Sequence, residues 1–395
     1  MGRLTGLVVA LAVAGSLVLA SWAQAAEWEL KTVSLPSGGK EGVLWGVSCF
    51  SASVCTGVGD YWNGSVWGAS GNEWNGTSWA TASVIANPSP GEKNGDLRSV
   101  SCFSATRCIA AGAFGVSGVG LSLIESSNKG TWTHTTSPNP SNGKNAELLG
   151  ILCMSLEFCL TTGQFLNTEG GGEKGAIMAE EWEGTSWSLL SPIENPGNRK
   201  NGKLRSVACT AVSECRAVGN WGIEVGGEGL GTPGEETWNG STWKATETPV
   251  PSSAHFGELF GISCATANSC LAVGSWEQVI TKAYNGLANY WNGTSWSLLE
   301  PPAPTGATRE ELAGVSCTAV EECMVVGTYT SSTGTKMTLA ELWKSKVWKI
   351  QPTPNPAGAK ASGFESVSCT EAEVCNAVGF SVNSSNVELP IAAHL

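Results

Sequence analysis

The cysteines constrain the folding of this chain more than any other feature. All 14 fall into seven pairs of identical internal spacing: Cys49/Cys55, Cys102/Cys108, Cys153/Cys159, Cys209/Cys215, Cys264/Cys270, Cys317/Cys323 and Cys369/Cys375. The first members of successive pairs lie 53, 51, 56, 55, 53 and 52 residues apart. Self-similarity at such a period means one supersecondary unit copied around an architecture. An even cysteine count at fixed spacing predicts a disulfide inside every repeat and an oxidising compartment. A bridge closing so short a loop stabilises by about 2–3 kcal/mol in the chain-entropy model. Zinc is a poor alternative, because structural zinc sites space their close ligands by about two to four residues.

Residues 1–25 read as a secretory leader. Arg3 supplies the positive region, Leu7 to Ala20 the apolar run, and Ala23-Gln24-Ala25 a small-x-small cleavage site. The apolar run is shorter than the roughly 20 residues of a spanning helix, and no later stretch is apolar enough to span. The expectation is a single domain over residues 26–395, monomeric, secreted or held at the cell surface. The chain has 22 basic against 34 acidic residues; without Arg3 the balance is 21 against 34, a net charge of −13. With no basic stripe to neutralise phosphates, nucleic acid is not expected as a partner.

Each unit opens with a short strand ending at cysteine: LWGVSC, LRSVSC, LRSVAC, LFGISC, LAGVSC and FESVSC are examples. The second cysteine begins another strand, as in CTGVG, CIAAG, CLTTG, CRAVG, CLAVG, CMVVG and CNAVG. A hairpin of this kind places the cysteines opposite one another. Two tryptophans then flank an Asn-Gly turn, in EWNGTSW, TWNGSTW and YWNGTSW, with EWEGTSW and LWKSKVW as variants. The turn is expected to place both of its central residues at positive φ. Pro- and Gly-rich segments such as NPSPGEKNG link one unit to the next. No run carries the helical period over ten residues. Charged residues are only 14% of the chain, with 50 glycines and 18 tryptophans, a balance that suits an all-β protein.

A four-stranded meander cannot bury its two apolar faces alone, so the units must stack. At this period they predict blades of a seven-bladed β-propeller, starting near residues 44, 97, 148, 204, 259, 312 and 364. The seventh unit stops at Leu395 without a final Trp-bearing strand, whereas WELKTVSLP (28–36) matches such a strand. The N-terminal strand is therefore expected to complete the last blade and close the ring.

The combination of SC-x5-C, AVG and WNGTSW resembles secreted bacterial β-propeller repeat proteins over about residues 28–395. Its Gly-Thr-Ser-Trp tail is similar to the Asp-box turn of sialidase-like propellers, Ser-x-Asp-x-Gly-x-x-Trp. No blade keeps the aspartate, so the likeness implies a blade shape and not an enzymology.

The inventory for catalysis is thin. The only aspartates are Asp60 and Asp96, and the only histidines His134, His255 and His394, none in a recognisable motif. Arg98 and Arg205 share one blade position, just after the opening leucine, and read as repeat structure. Gly226, Gly227, Gly229 and Gly231 mimic a phosphate loop without a following helix. No metal or cofactor site is expected. Asn63, Asn75, Asn239 and Asn292 begin Asn-Gly-Ser/Thr sequons that hairpin chemistry already explains.

Recognition is expected on the face carrying the loops from second to third strand and from blade to blade, which vary in length. At the exit of the second strand an aromatic recurs in every unit: Tyr61, Phe114, Phe165, Trp221, Trp276, Tyr329 and Phe380. Packing between blades is one reading; a ring of platforms for a sugar or a protein anchor is the other. The leading expectation is a non-enzymatic exported scaffold with a protein or cell-envelope glycan as partner. A lectin-like module with repeated sugar sites comes second, and a hydrolase built on non-repeated glutamates third.

Overall fold

The computed structural model describes residues 2, 27–88, 93–168, 174–190, 193, 199–225 and 228–395. The leader expected over residues 1–25 lies outside them except for Gly2, as do Gly226 and Gly227. The described residues form strands and no helix, and no helix long and apolar enough to cross a membrane is present among them.

Five separate sheets are four-stranded meanders in simple sequence order. An eight-stranded sheet divides into two more such units, because a single parallel bridge, Lys336 with Ala361, joins them. The architecture is that of a β-propeller with seven four-stranded units. In the first unit the strands are Glu41–Ser51, Val54–Trp62, Trp67–Trp74 and Ser83–Ile85. In the last they are Ala361–Glu371, Val374–Val382 and Glu388–His394, completed by Glu29–Lys31 from the N-terminal side. Glu29, Leu30 and Lys31 pair antiparallel with His394, Ala393 and Ala392, as the matching of chain ends anticipates.

All seven disulfides form within repeats: Cys49–Cys55, Cys102–Cys108, Cys153–Cys159, Cys209–Cys215, Cys264–Cys270, Cys317–Cys323 and Cys369–Cys375. Each joins a directly paired position beside the turn of the first hairpin, as Cys49 with Cys55 shows. The two ends of a bridge differ in environment. Cys55, Cys108, Cys159, Cys215, Cys270, Cys323 and Cys375 are all buried, whereas every first cysteine except Cys153 is half-buried. The buried sulfurs belong to the cores between blades: Cys55 packs with Val378 of the seventh blade, and Cys108 with Val58 of the first. Seven intrachain bridges suggest an oxidising environment.

The apolar cores lie between blades and not inside them. Leu160, Ile177 and Ala179 of the third unit pack with Leu204, Val207 and Trp221 of the fourth. Val378 and Ala392 of the seventh pack with Leu44, Val47 and Trp74 of the first, across the closure.

A hydrogen-bond series runs around the innermost strands. Cys102 N–H donates to Ser48 Oγ (3.0 Å), Cys153 to Ser101 (2.9 Å), Cys317 to Ser263 (2.9 Å), Cys369 to Ser316 (3.0 Å) and Cys49 to Ser368 (2.9 Å). The serine before the first cysteine of one blade thus holds the next blade. Leu152 and Ala208 replace it in the third and fourth units and carry no hydroxyl. The bond from Cys49 to Ser368 spans the ring closure, so first and last blades meet as any other neighbours do.

The Asn-Gly turns differ from expectation. Gly64, Gly76, Gly240 and Gly293 have positive φ (90–99°), but the asparagines before them do not. The loop has four residues between paired tryptophans, such as Trp238 and Trp243. Asn239 Oδ1 accepts the N–H groups of Ser241 (3.0 Å) and Thr242 (2.9 Å), so its side chain substitutes for a second left-handed residue. The two-residue turn occurs where the motif is degraded, with both residues at positive φ: Lys129-Gly130 and Ser345-Lys346.

Candidate functional site: the central cavity

In every unit the first two strands share one register shift. Leu44 pairs with Gly59 and Gly46 with Val58, leaving Trp45 without a partner. The same slip leaves Arg98, Leu149, Arg205, Phe260, Ala313 and Glu365 unpaired in the other units. A β-bulge of this kind adds a residue to one strand and re-aims its side chain. The residue before it (Leu44, Leu97, Leu148, Leu204, Leu259, Leu312 or Phe364) is at most 1% exposed, whereas every bulged residue is half-buried.

The second-strand glycine explains why the bulge is tolerated. A Cβ at Gly59, Gly112, Gly163, Gly219, Gly274, Gly327 or Gly379 would stand 1.9–2.1 Å from an inner-strand carbonyl oxygen. Only glycine leaves that space for the displaced strand. The last letter of CTGVG and its six counterparts is thereby accounted for.

All seven bulged residues line one cavity of about 400 Å³ on the propeller axis. Thr328 and Lys336 also line it, and they flank the 331–335 loop between second and third strands, so the cavity lies toward the variable-loop face. Its wall is polar and strongly paired. Arg98 bonds Asp96 (2.7 Å), approaches Glu147 (3.3 Å) and stacks over Trp45 at 4.6 Å. Arg205 bonds Glu258 and lies 5.4 Å over Phe260. Trp45 Nε1 donates to Asp60 Oδ2 (3.0 Å). Burial pushes Asp60 up, and pushes Asp96 up to about 6 and Glu365 up to about 7, against the pull of Arg98 on all three and of Lys336 on Glu365.

Arg98 and Arg205, alike in position, are therefore cavity residues and not only repeat structure. Both aspartates, without a motif in the chain, come to the same mouth. The signal for this site was in the alignment of the repeats: the residue after the opening leucine reads Trp, Arg, Leu, Arg, Phe, Ala and Glu, between neighbours that scarcely change. Gly229 and Gly231 fall in the strand Glu228–Trp238, paired with Glu224 and Gly222.

Neither set of residues singled out by recurrence in the sequence forms this site. The first cysteine of each pair stands four residues beyond the bulged residue, and no cysteine lines the cavity. Cys55, Cys108, Cys159, Cys215, Cys270, Cys323 and Cys375 have their sulfur bonded and buried, so they fasten the hairpin and offer no thiol to a ligand. They are residues of the framework, not of the site. The second-strand aromatics do not reach the cavity wall either. Tyr61, Phe114, Phe165 and Trp221 are buried, while Trp276, Tyr329 and Phe380 are half-buried. Phe114, Phe165 and Trp221 belong to the interblade cores, and Trp276 and Tyr329 pack against them. For these the packing reading is the one the geometry favours, because each joins or packs against a core shared by two blades.

A second ring went unread in the sequence. Two residues before the third-strand tryptophan, or the residue in its place, stand Asn72, Glu125, Glu180, Glu236, Asn289, Glu341 and Ala393, each at most 2% exposed. Burial pushes Glu125, Glu180 and Glu236 up to about 8 and Glu341 up to about 9. His134 Nδ1 lies 3.3 Å from Glu125, and Ser137 Oγ bonds Glu180 at 2.8 Å from the preceding blade's linker.

No protein-family model matches this chain, and no curated protein matches it. Solved structures do. YCF48 bound to D1 peptide is 14% identical, with 93% of this chain and 96% of that chain covered, at a TM-score of 0.52. A polysaccharide lyase, an ulvan lyase, is 9% identical over 92% and 94%, at 0.55. Sqt1 of Chaetomium thermophilum is 8% identical over 90% and 85%, at 0.51. At these identities the likeness is one of fold. The structural neighbours are β-propellers.

Proposed function

We propose that this chain is an exported, non-enzymatic interaction scaffold that holds one segment of a partner protein in the mouth of its central cavity. One observation carries the reading. The backbone repeats seven times, yet the position aimed at the axis holds six different residue types. A repeated sugar site would need seven like side chains; a single asymmetric ligand needs unlike ones. Stacking faces, guanidinium groups and carboxylates around one small volume suit a peptide more than a uniform glycan. The ion pairs already made by Arg98 and Arg205 hold those groups in place, which lowers the ordering cost of binding.

A displayed random-peptide library selected on the purified protein tests this. Enriched peptides should bind with a stoichiometry of one in native mass spectrometry. Ala313→Trp, which fills the mouth from the inner strand of the sixth blade, should abolish that binding while the melting temperature stays close to wild type. Binding that survives Ala313→Trp would defeat the proposal. So would glycan binding at more than one site per chain, which would favour the lectin-like alternative.

A further inference from the structure

Charge around the central cavity does not balance. Arg98 has Asp96 and Glu147, Lys203 and Arg205 share Glu258, and Lys336 (3.7 Å) and Arg309 (3.5 Å) share Glu311. Five cations thus share four carboxylates, and every carboxylate of that set is paired. On the first and seventh blades, Glu41, Asp60, Glu365 and Glu388 make no ion pair among the described residues. Glu365 is the bulged residue of its blade, aimed into the cavity by the backbone, and its carboxylate makes no hydrogen bond to a described residue either. Asp60 Oδ1 is buried and has no hydrogen-bond partner among them.

Of these four carboxylates, Glu365 lines the cavity, Glu388 is close enough to act on Glu365, and Asp60 and Glu41 act in turn on Glu388. Burial raises Asp60, Glu365 and Glu388, and Glu388 is raised further by Asp60 and Glu41. Burial sets that direction in all three; Arg98 pulls against it at Asp60 and Glu365, and Lys336 at Glu365 and Glu388. Both cations are paired elsewhere, Arg98 with Asp96 and Glu147 and Lys336 with Glu311. On the second blade the same wall shows how it holds a cation: Arg98 sits over an indole between two carboxylates.

We propose that the ligand of the central cavity carries an ammonium or guanidinium group, a lysine or arginine side chain of the bound segment, which pairs with Glu365. This rests on the central-mouth reading and names the chemistry of its ligand. Asp60 and Glu388 flank the pair and deepen the potential felt by the incoming cation.

The test uses blocked peptides of one polar sequence whose central residue is Arg, Lys, Gln or Glu, titrated against the whole protein by surface plasmon resonance. The Arg and Lys peptides should bind at least about tenfold more tightly than the Gln peptide, the effect of one charge-assisted contact. Glu365→Gln should erase that difference, and Glu365→Lys should turn the preference toward the Glu peptide. Equal affinity of the Arg and Gln peptides for wild type would overturn the proposal, as would a preference that persists in Glu365→Gln. Library-selected peptides separate the two failures. If they bind and Ala313→Trp blocks them, only the cationic assignment falls; if no peptide binds, the central-mouth reading falls with it.

Discussion

Two groups of carboxyls in this propeller are pushed above their ordinary range, and they differ in nearly everything else. Glu125, Glu180, Glu236 and Glu341 occupy one register position, are at most 1% exposed, and lie between blades. Asp60, Asp96 and Glu365 come from different positions and gather at the axis. In the first ring two blades use Asn72 and Asn289, and an amide is the neutral counterpart of a protonated acid. Packing there needs a polar, uncharged group, so the raised pKa is a consequence of architecture. At the axis no two of the three acids share a register position. A perturbed carboxyl points to a site where the repeat is broken, and to scaffold where the repeat is kept.

The bulge is what separates the two groups, and removing it should produce the largest effect. In Gly274→Ala the new Cβ would lie 1.9 Å from the carbonyl oxygen of Glu258. Neither strand can yield without giving up the slip that aims Phe260 at the cavity. A loss of at least about 3 kcal/mol is expected, read as a lower urea midpoint. A substitution that left the midpoint unchanged would mean that the glycine is not required by the bulge.

A smaller effect separates the groups by pH. A third-strand glutamate has an ordinary value of 4.5 and a folded value of about 8. Between those limits the unfolded chain has released a proton that the folded chain keeps. Unfolding therefore gains in favour as pH rises, by about 1.4 kcal/mol per pH unit for each such group. Below about 4.5 and above about 8 the dependence on that group vanishes. Glu180→Gln should remove one such slope and make the protein more stable than wild type at pH 8. Parallel stability–pH curves for wild type and Glu180→Gln would show that the acid is ionised in the fold.

How much of this was legible beforehand follows from range. The blades, the seven bridges and the pairing of the N-terminal strand with the last blade rest on short local patterns, and each is in the structure. Recurrence reports the framework and not the site: Cys55, Cys270 and their counterparts repeat for the sake of the hairpin and the core, as the disulfide expectation has them, away from the cavity. The turn went wrong because Asn239 and its counterparts use their side chains, which backbone preference does not report. The central cavity was hidden because Arg98 and Arg205 look like repetition when two blades are compared, and like variation only when all seven are. The acid ring was hidden because a glutamate two residues before tryptophan on a strand reads as solvent-facing until the neighbouring blade covers it.

The smallest effect concerns a repeated feature that tolerates gaps. Ser101→Ala removes the Oγ that accepts the N–H of Cys153, a buried interblade bond of 2.9 Å. The expected cost is about 1 kcal/mol, since the donor loses its partner while the surrounding packing is kept. The chain itself supplies the comparison, because Leu152 and Ala208 already stand at this position in two blades. Ala208→Ser should place a hydroxyl near Cys264 N–H and return a similar amount. If Ser101→Ala costs several times more, that junction carries the ring closure unequally, and the seven interfaces are not interchangeable. If both substitutions are silent in urea unfolding, the series follows from the packing of the inner strands and does not stabilise it. Peptide binding should be unaltered in either variant, since neither residue lines the central cavity.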